Sequence, residues 1–389
     1  MRTPLAWLNV TSNLPRLLLS ASGIGFAVVL MFTQIGFLNG LFDSAVEILR
    51  LLDADLVILS PARYTVPSEQ RFDYGLIERA KSLQGVESAT PLYIDRALAE
   101  VRVIGHVSRS IRVIGVPRGQ PVFKNPEMNR RCQALTDRSM GLLDRRSKEK
   151  YGFEKEDVAK LNEQEIELSG KQIQLIDWVT IGTDFVYDGT LVINKEGVEY
   201  FFPMRNGGRS PLAAVDLGLV RVADRKQLEK VRAELADRLG SSVQVLSHQS
   251  LIYREIGFWA TNTPIGVIFT IGTVMGLLIG VIICYQILFT DIQDHLAEFA
   301  TLKAMGYNGS YFFRFVMAQS FYLSLIGFIP GLIISWGLYY ILSEWTGLVM
   351  RLTPSRILLV AGLTFLMCAL SGILAVRKLW SADPATLFK

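Results

Sequence analysis

The chain has 389 residues, half of them hydrophobic, a formal net charge of +4 and a mean hydropathy of +0.31. That is too apolar for an ordinary soluble globular protein and too polar for one wholly embedded in lipid, so a few spans plus a sizeable water-exposed part are expected. So small a charge excess offers no nucleic-acid surface, and Cys132, the one cysteine outside the apolar runs, gives the polar region no disulfide staple.

Residues 1–16 make a short, mildly basic lead containing Arg2 and Arg16. Leu5, Trp7, Leu8 and Leu14 give it an apolar face for an interfacial helix, with Trp7 at headgroup depth. No charge then occurs between Arg16 and Asp43. At about 1.5 Å per residue, 17–42 crosses a hydrocarbon layer of about 30 Å and is read as the first span. A cleavable signal would carry an apolar core of about 7–15 residues and a small-residue cleavage site. This run is longer, so the span is read as retained. Gly36 and Gly40 add a small-xxx-small pair, weak as a lone motif.

Residues 43–260 form the polar domain. Asp55–Ser60 predicts a buried strand, and Tyr74–Leu83 a helix ending near Gly85. Ala97–Ile104 and Ser110–Val116 alternate as the strands of a hairpin. Ala213–Val222 predicts a strand, Asp224–Leu239 a helix stopped by Gly240, and Val243–Leu246 a last strand. Two such halves around an insert at about 118–212 suggest one split α+β module. The insert is irregular and charged. A helix around Leu135–Leu161 is expected there, then short strands near Trp178–Ile181, Thr183–Tyr187 and Leu191–Ile193, with Asp188-Gly189 as a turn signal.

His248–Asn262 reads as a helical stalk, and 261–290 as its end and the second span. Gly272, Gly276 and Gly280 stand four apart on one helix face, which favours a helix–helix contact over lipid exposure. Asp291–Gly306 follows, rich in helix formers and stopped by a glycine. It carries Asp291, Asp294, Glu298 and Lys303 beside Leu296, Phe299, Ala300, Leu302 and Met305. A helix too polar for lipid, held at the end of a span, is placed to dock on a soluble partner; a connecting loop is the other reading of 291–311.

The third span covers 312–342 and is expected to break or kink near Pro330-Gly331. An outer loop at 343–356, a fourth span at 357–376 and a tail at 377–389 complete the chain, and Asp383-Pro384 stops any further helix. Arg2, Arg16, Arg377, Lys378 and Lys389 favour the cytoplasm for both ends, which puts 291–311 inside and 43–260 outside. Arg351 and Arg356, on the outer side, weigh against that orientation.

Catalytic chemistry is missing from the pattern. His106, His248 and His295 stand in no HExxH arrangement, and His295 with Glu298 supplies two metal ligands at most. Gly75-Leu-Ile-Glu-Arg-Ala-Lys-Ser82 resembles a phosphate-binding loop, but Ala80 stands where a glycine must let backbone N–H groups wrap the phosphates. The segment is read as a plain helix, with no metal, cofactor or nucleotide site in this chain. Acids and bases are absent from 264–290 and 357–376, which argues against an ion-coupled carrier.

The stretches PLAWLNVT (Pro4–Thr11), GIGFAVVLMFTQIGF (Gly23–Phe37), DADLVILSP (Asp53–Pro61), TNTPIGVIFTIGTVMGLLIGVIICYQIL (Thr261–Leu288), YQILFTDIQDHLAEFATLKAMGY (Tyr285–Tyr307) and RKLWSADPATLF (Arg377–Phe388) resemble, in order and over nearly the whole chain, DevC-type permeases of the FtsX/MacB-type ABC transporters. The resemblance implies a mixed membrane protein of a bacterial inner membrane. Four transmembrane helices would carry a large extracytoplasmic α+β domain, a porter-like lobe split by a β-rich insert, between the first and second spans. Both termini would be cytoplasmic and the domain periplasmic.

It further implies a homodimer working with a separate DevA/MacB-like ATPase that binds ATP and Mg, a membrane fusion (adaptor) protein and a TolC-like outer-membrane channel. Residues 291–311 would be the coupling helix, with Glu298, Phe299, Leu302, Lys303, Met305 and Gly306 touching the ATPase. Spans packed through the Gly272, Gly276 and Gly280 face would relay ATP-driven motion outward to expel a lipid, glycolipid or other hydrophobic envelope cargo. The same plan serves an FtsX-like transducer that activates a periplasmic partner and moves no substrate. A membrane-bound enzyme would need a polar catalytic cluster that the sequence does not offer.

Overall fold

The computed structural model describes residues 7, 10, 11, 13–184, 186–296, 298, 301, 302 and 305–380. They divide into two compact units. One holds the residues up to Gly40, Pro264–Trp345 and those from Met350; the other holds Leu41–Thr263 and Thr346–Val349.

The first unit is helical. Helix α1 (Leu14–Leu51) contributes its length up to Gly40, joined by three further long helices at Pro264–Asp294, Gly309–Thr346 and Pro354–Trp380. All four are long and apolar enough to cross a membrane. Each extends past its expected span. Helix α1 runs nine residues beyond 42, because Asp43 and Arg50 pair along it at 2.8 Å and Val46 and Leu49 are buried. Of the break or kink expected near Pro330, the break does not occur: the third long helix continues through it. A proline removes one ladder hydrogen bond, and here the turn after it is held by burial, with Gly331 close against Val28 and the carbonyl of Gly25.

In the second unit the chain order is β1 (Leu56–Leu59), β2 (Phe72–Asp73), α2 (Gly75–Lys81), β3 (Val86–Asp95), β4 (Glu100–Val103), β5 (Arg109–Ser110), β6 (Arg112–Val116), α3 (Pro126–Gln133), β7 (Met140–Asp144), α4 (Val158–Glu163), β8 (Ile166–Leu168), β9 (Lys171–Val179), β10 (Thr190–Asn194), α5 (Lys195–Phe201), β11 (Ala214–Val215), β12 (Leu217–Val222), α6 (Leu228–Leu239), β13 (Gln244–Ser247) and α7 (His248–Thr261). The long helices that follow are α8 (Pro264–Asp294), α9 (Gly309–Thr346) and α10 (Pro354–Trp380).

Eleven strands form one sheet in the order β13-β1-β12-β3-β6-β10-β7-β9-β8-β4-β5; β2 and β11 pair separately. Two pairings, β6 with β10 and β7 with β9, are parallel. Both faces are covered. Leu56 and Ile58 of β1 pack with Ile77 of α2 and Leu235 of α6, while Val57 and Leu59 pack with Leu49 of α1 and Leu251 of α7. That alternation along β1 is the two-residue period of a strand buried on both sides.

Four expectations are corrected here. The insert is not a separate β-rich lobe: β10, all five residues buried, pairs with β6 on one side and β7 on the other, which extends one sheet. The hairpin of 97–104 with 110–116 holds only where β4 pairs with β5; β4 also pairs with β8, and β6 pairs with β3 instead. Strand β3, with Pro91 inside a long buried run, shows no alternation to signal it. The helix expected around Leu135–Leu161 is instead β7, a 3-10 turn at Glu149–Tyr151 and the start of α4, with α3 ending before it. Asn125 caps α3 by accepting from the Glu127 N–H, with Pro126 at the first helical position. Met140–Asp144 is drawn into the sheet by burial. Thr183–Tyr187 is also no strand: the Asp184 carboxylate accepts from the Val186 and Tyr187 N–H groups in a turn and pairs with Arg112 at 3.0 Å.

A charged network lies inside this unit. Asp216, fully buried, accepts from Arg63, from Arg205 and, at 2.8 Å, from the Ile94 N–H; Asp95 accepts from Arg205 and Arg71. Burial outweighs these cations at Asp95 and pushes its carboxyl up to about 6.

Candidate functional site

The site to be built is the segment between α8 and α9. Helix α8 does not stop at Thr290; it carries on through Asp291 to Asp294. His295 adds another turn, its N–H donating to the Asp291 carbonyl at 3.3 Å while its ring Nδ1 lies 2.9 Å from that oxygen. Helical residues follow at 296, 298, 301 and 302.

The segment ends in a defined cap. The Met305 N–H donates to the Thr301 carbonyl at 3.0 Å and the Tyr307 N–H reaches back to the Leu302 carbonyl at 3.2 Å, with Gly306 between them at φ +95°. A six-residue reach closed over a left-handed glycine is a Schellman cap, which satisfies carbonyls that a helix end would otherwise leave open. Tyr307 then packs against Tyr311 at a tilt of 50°, ring centres 4.8 Å apart, at the start of α9.

Of the sequence-derived contact residues, Glu298, Met305 and Gly306 are exposed. Leu302 is half-buried against the helical core that holds Leu288, Ile292 and Phe312. Phe299 and Lys303 lie outside the described residues. So over about two turns the segment offers an acid and a thioether outward while Leu302 anchors it.

Sequence reasoning missed what fixes the base of this segment. Asp291 is 13% exposed and faces two other helices. Arg16, on α1, lies 3.5 Å from its carboxylate and pairs with Asp294 as well. Gln319, on α9 and 1% exposed, donates its side-chain amide to Asp291 at 2.8 Å. Three helices therefore meet at one carboxylate. The signal was available: Gln319 is a buried-amide candidate inside an apolar span, and a polar residue there must face the bundle and find a partner.

Gly272, Gly276 and Gly280 face other helices of this same chain. A Cβ at Gly272 would sit 2.5 Å from Gln34, one at Gly276 3.4 Å from Met31, and one at Gly280 1.9 Å from the Met367 sulfur and 2.9 Å from Ala27. Gly276 and Gly280 are buried against α1 and α10, so the face is already occupied without a second copy. The glycine-loop lookalike at Gly75–Ser82 is helix α2 followed by its cap residue. Among the described residues, no three His, Cys, Asp or Glu side chains gather as a metal ion would require.

The FtsX-like permease C-terminal family matches residues 269–384, which run from within α8 past the end of α10. No curated protein matches the chain. Two solved structures are similar to part of it. The extracellular domain of the noncanonic ABC-type transporter YknZ from Gram-positive bacteria is 13% identical, over 49% of this chain and 99% of that one, with a TM-score of 0.33. The periplasmic region of MacB from Actinobacillus actinomycetemcomitans is 10% identical, over 52% and 92%, with a TM-score of 0.34.

Proposed function

We propose that this ABC-type permease of the FtsX/MacB family works as a homodimer that relays the motion of a separate ATPase to its large α/β unit. The observation that carries the reading is the segment after Asp291. It is exposed at the acid Glu298 and the thioether Met305, closed by a glycine cap, and fixed at its base by Arg16 and Gln319. A lever needs an exposed contact and a stiff root, and this segment has both. ATP and Mg would be held by the partner ATPase.

The glycine face is used inside the chain, so a dimer needs another surface. The exposed row Val267, Ile271, Val274, Met275, Leu278 and Ile282 on α8 is apolar and follows the three-to-four-residue spacing of one helix face, as a second copy or lipid would require. In the proposed topology both termini and 291–311 face the cytoplasm, and residues 41–263 stand in the periplasm of an inner membrane, reached through α7. There they would meet a membrane fusion protein and a TolC-like channel. The cargo class is a lipid, glycolipid or other hydrophobic envelope component, as for a DevC-type exporter.

The test is co-purification in mild detergent with the ATPase encoded nearest to this gene, then ATP hydrolysis with and without the adaptor. A stable complex whose hydrolysis responds to the adaptor supports export. A complex indifferent to any adaptor would favour an FtsX-like transducer that acts on a periplasmic partner. No complex at all would remove the coupling role of 291–311.

A further inference from the structure

A cavity of about 480 Å³ opens in the α/β unit, walled by the β2–α2 corner, β3, the turn after β6 and the start of α5. Its size is that of a pocket for a small organic ligand, roughly 300–1,000 Å³, and an inorganic anion alone would leave it mostly empty. Its wall is mixed. Tyr74 and Tyr93 give it aromatic surface, and Tyr93 is held rigid, 2% exposed, with its hydroxyl donating to the Leu212 carbonyl at 3.2 Å.

The charge on this wall is lopsided. Lys81, Arg118 and Lys195 line the cavity against one acid, Asp73. Asp73 is already engaged, capping the Gly75 N–H at 2.7 Å. Lys81 is answered by Glu78 at 2.7 Å. Lys195 reaches only its sequence neighbour Glu196, at 3.9 Å, and Arg118 makes no ion pair among the described residues. Two cations from different segments thus face one cavity, Arg118 with no ion pair among the described residues and Lys195 with only a long one to its neighbour. Arginine offers a planar fork suited to phosphate or carboxylate, and lysine a second point charge.

We propose that this cavity binds an amphipathic anion, a phosphate or carboxylate head held by Arg118 and Lys195 with its apolar part against Tyr74 and Tyr93. The site goes beyond the transport reading, since binding would follow whether the chain exports or signals. Free organic phosphates and lipid headgroups share this chemistry.

The experiment titrates the full chain in a neutral maltoside detergent with hexyl phosphate, inorganic phosphate and hexanol, followed by calorimetry. Hexyl phosphate should saturate one site per chain, at least tenfold tighter than either fragment. The Arg118→Glu/Lys195→Glu double variant should lose at least tenfold, while Arg102→Glu/Lys160→Glu, off the cavity, should bind as the parent does. Both altered cations are exposed, so folding is checked by an unchanged thermal midpoint. Equal binding by the parent and the cavity variant would overturn the proposal. So would inorganic phosphate binding as tightly as hexyl phosphate, which would mark a surface attraction for anions only. Vesicles of phosphatidic acid against phosphatidylcholine, added to the same chain, then separate a lipid source from a soluble one: competition by phosphatidic acid alone assigns the lipid.

Discussion

The side-chain amide of Gln319 donates to the carboxylate of Asp291 at 2.8 Å, from a residue only 1% exposed. Asp291 also faces Arg16, whereas Asp294 meets the same arginine with its own side chain 47% exposed. The two acids therefore differ in worth. Removing a partner of a buried polar group costs about 1–3 kcal/mol, and an exposed ion pair about 0–1 kcal/mol. Asp291→Ala should lower the thermal midpoint of the detergent-purified chain clearly more than Asp294→Ala. Equal shifts would mean that the three-helix junction does not hold the segment.

Gly306 has φ +95° and open space where a Cβ would go. A substitution there meets backbone strain and no clash. A β-branched residue in the left-handed region costs about 1–2 kcal/mol, and asparagine tolerates it better. Gly306→Val should weaken co-purification of the ATPase by roughly tenfold, with Gly306→Asn between it and the parent. If valine is silent, the cap does not shape the docking surface.

Glu298 is exposed on the segment and carries no structural burden. Charge reversal at a docking surface sets like against like and costs several kcal/mol. Glu298→Arg should leave expression and thermal midpoint unchanged while abolishing the coupling of ATP hydrolysis. Normal coupled turnover in that variant would sink the assignment of 291–311 as the contact.

The glycines of α8 make a graded series. A Cβ at Gly280 would fall 2.9 Å from the Ala27 Cβ, which cannot rotate away, besides meeting the Met367 sulfur; at Gly276 the nearest atom stands at 3.4 Å, an ordinary contact. Gly280→Ala should therefore lower the thermal midpoint more than Gly276→Ala. Gly276→Leu should disrupt packing inside one chain, so its effect should persist in monomer fractions. An unchanged midpoint for Gly280→Ala would show that α8 can slide past α1.

How much was legible follows from which force sets each element. The four long helices were readable because lipid demands an uninterrupted apolar run, and 264–290 has no other use for one. Helix α6 was readable from its period and Gly240. The sheet's middle was not. Strand β3 is buried over its last seven residues, so it lacks a polar face to reveal its period, and Met140–Asp144 is a strand only because β9 and β10 flank it. At the candidate site, Glu298 and Gly306 were readable locally. The Arg16–Asp291–Gln319 junction spans some three hundred positions, which no local pattern carries.

Glu255 on α7 gives a pH signature. Its carboxylate is fully buried and accepts from the Val66 N–H and, at 2.9 Å each, the Trp259 indole N–H. Burial pushes its carboxyl from an ordinary 4.5 up to about 7, against the pull of both donors and of Arg254. Between those two values the folded chain holds a proton that the unfolded chain has released. Folding then takes up a proton, and stability falls as pH rises through the window, by about 3 kcal/mol. Asp95, raised to about 6, acts in the same sense, and His248, lowered by burial, acts in the opposite one. The difference between parent and Glu255→Gln isolates one group. The variant cannot titrate there, and its amide N–H₂ must face one of the two N–H donors, so it should be less stable at pH 5. Its thermal midpoint should fall less steeply than the parent's between pH 5 and 8, so that the two converge at the alkaline end. Parallel curves would mean that Glu255 stays ionised on folding, held by Val66 and Trp259, and that burial is not what governs it.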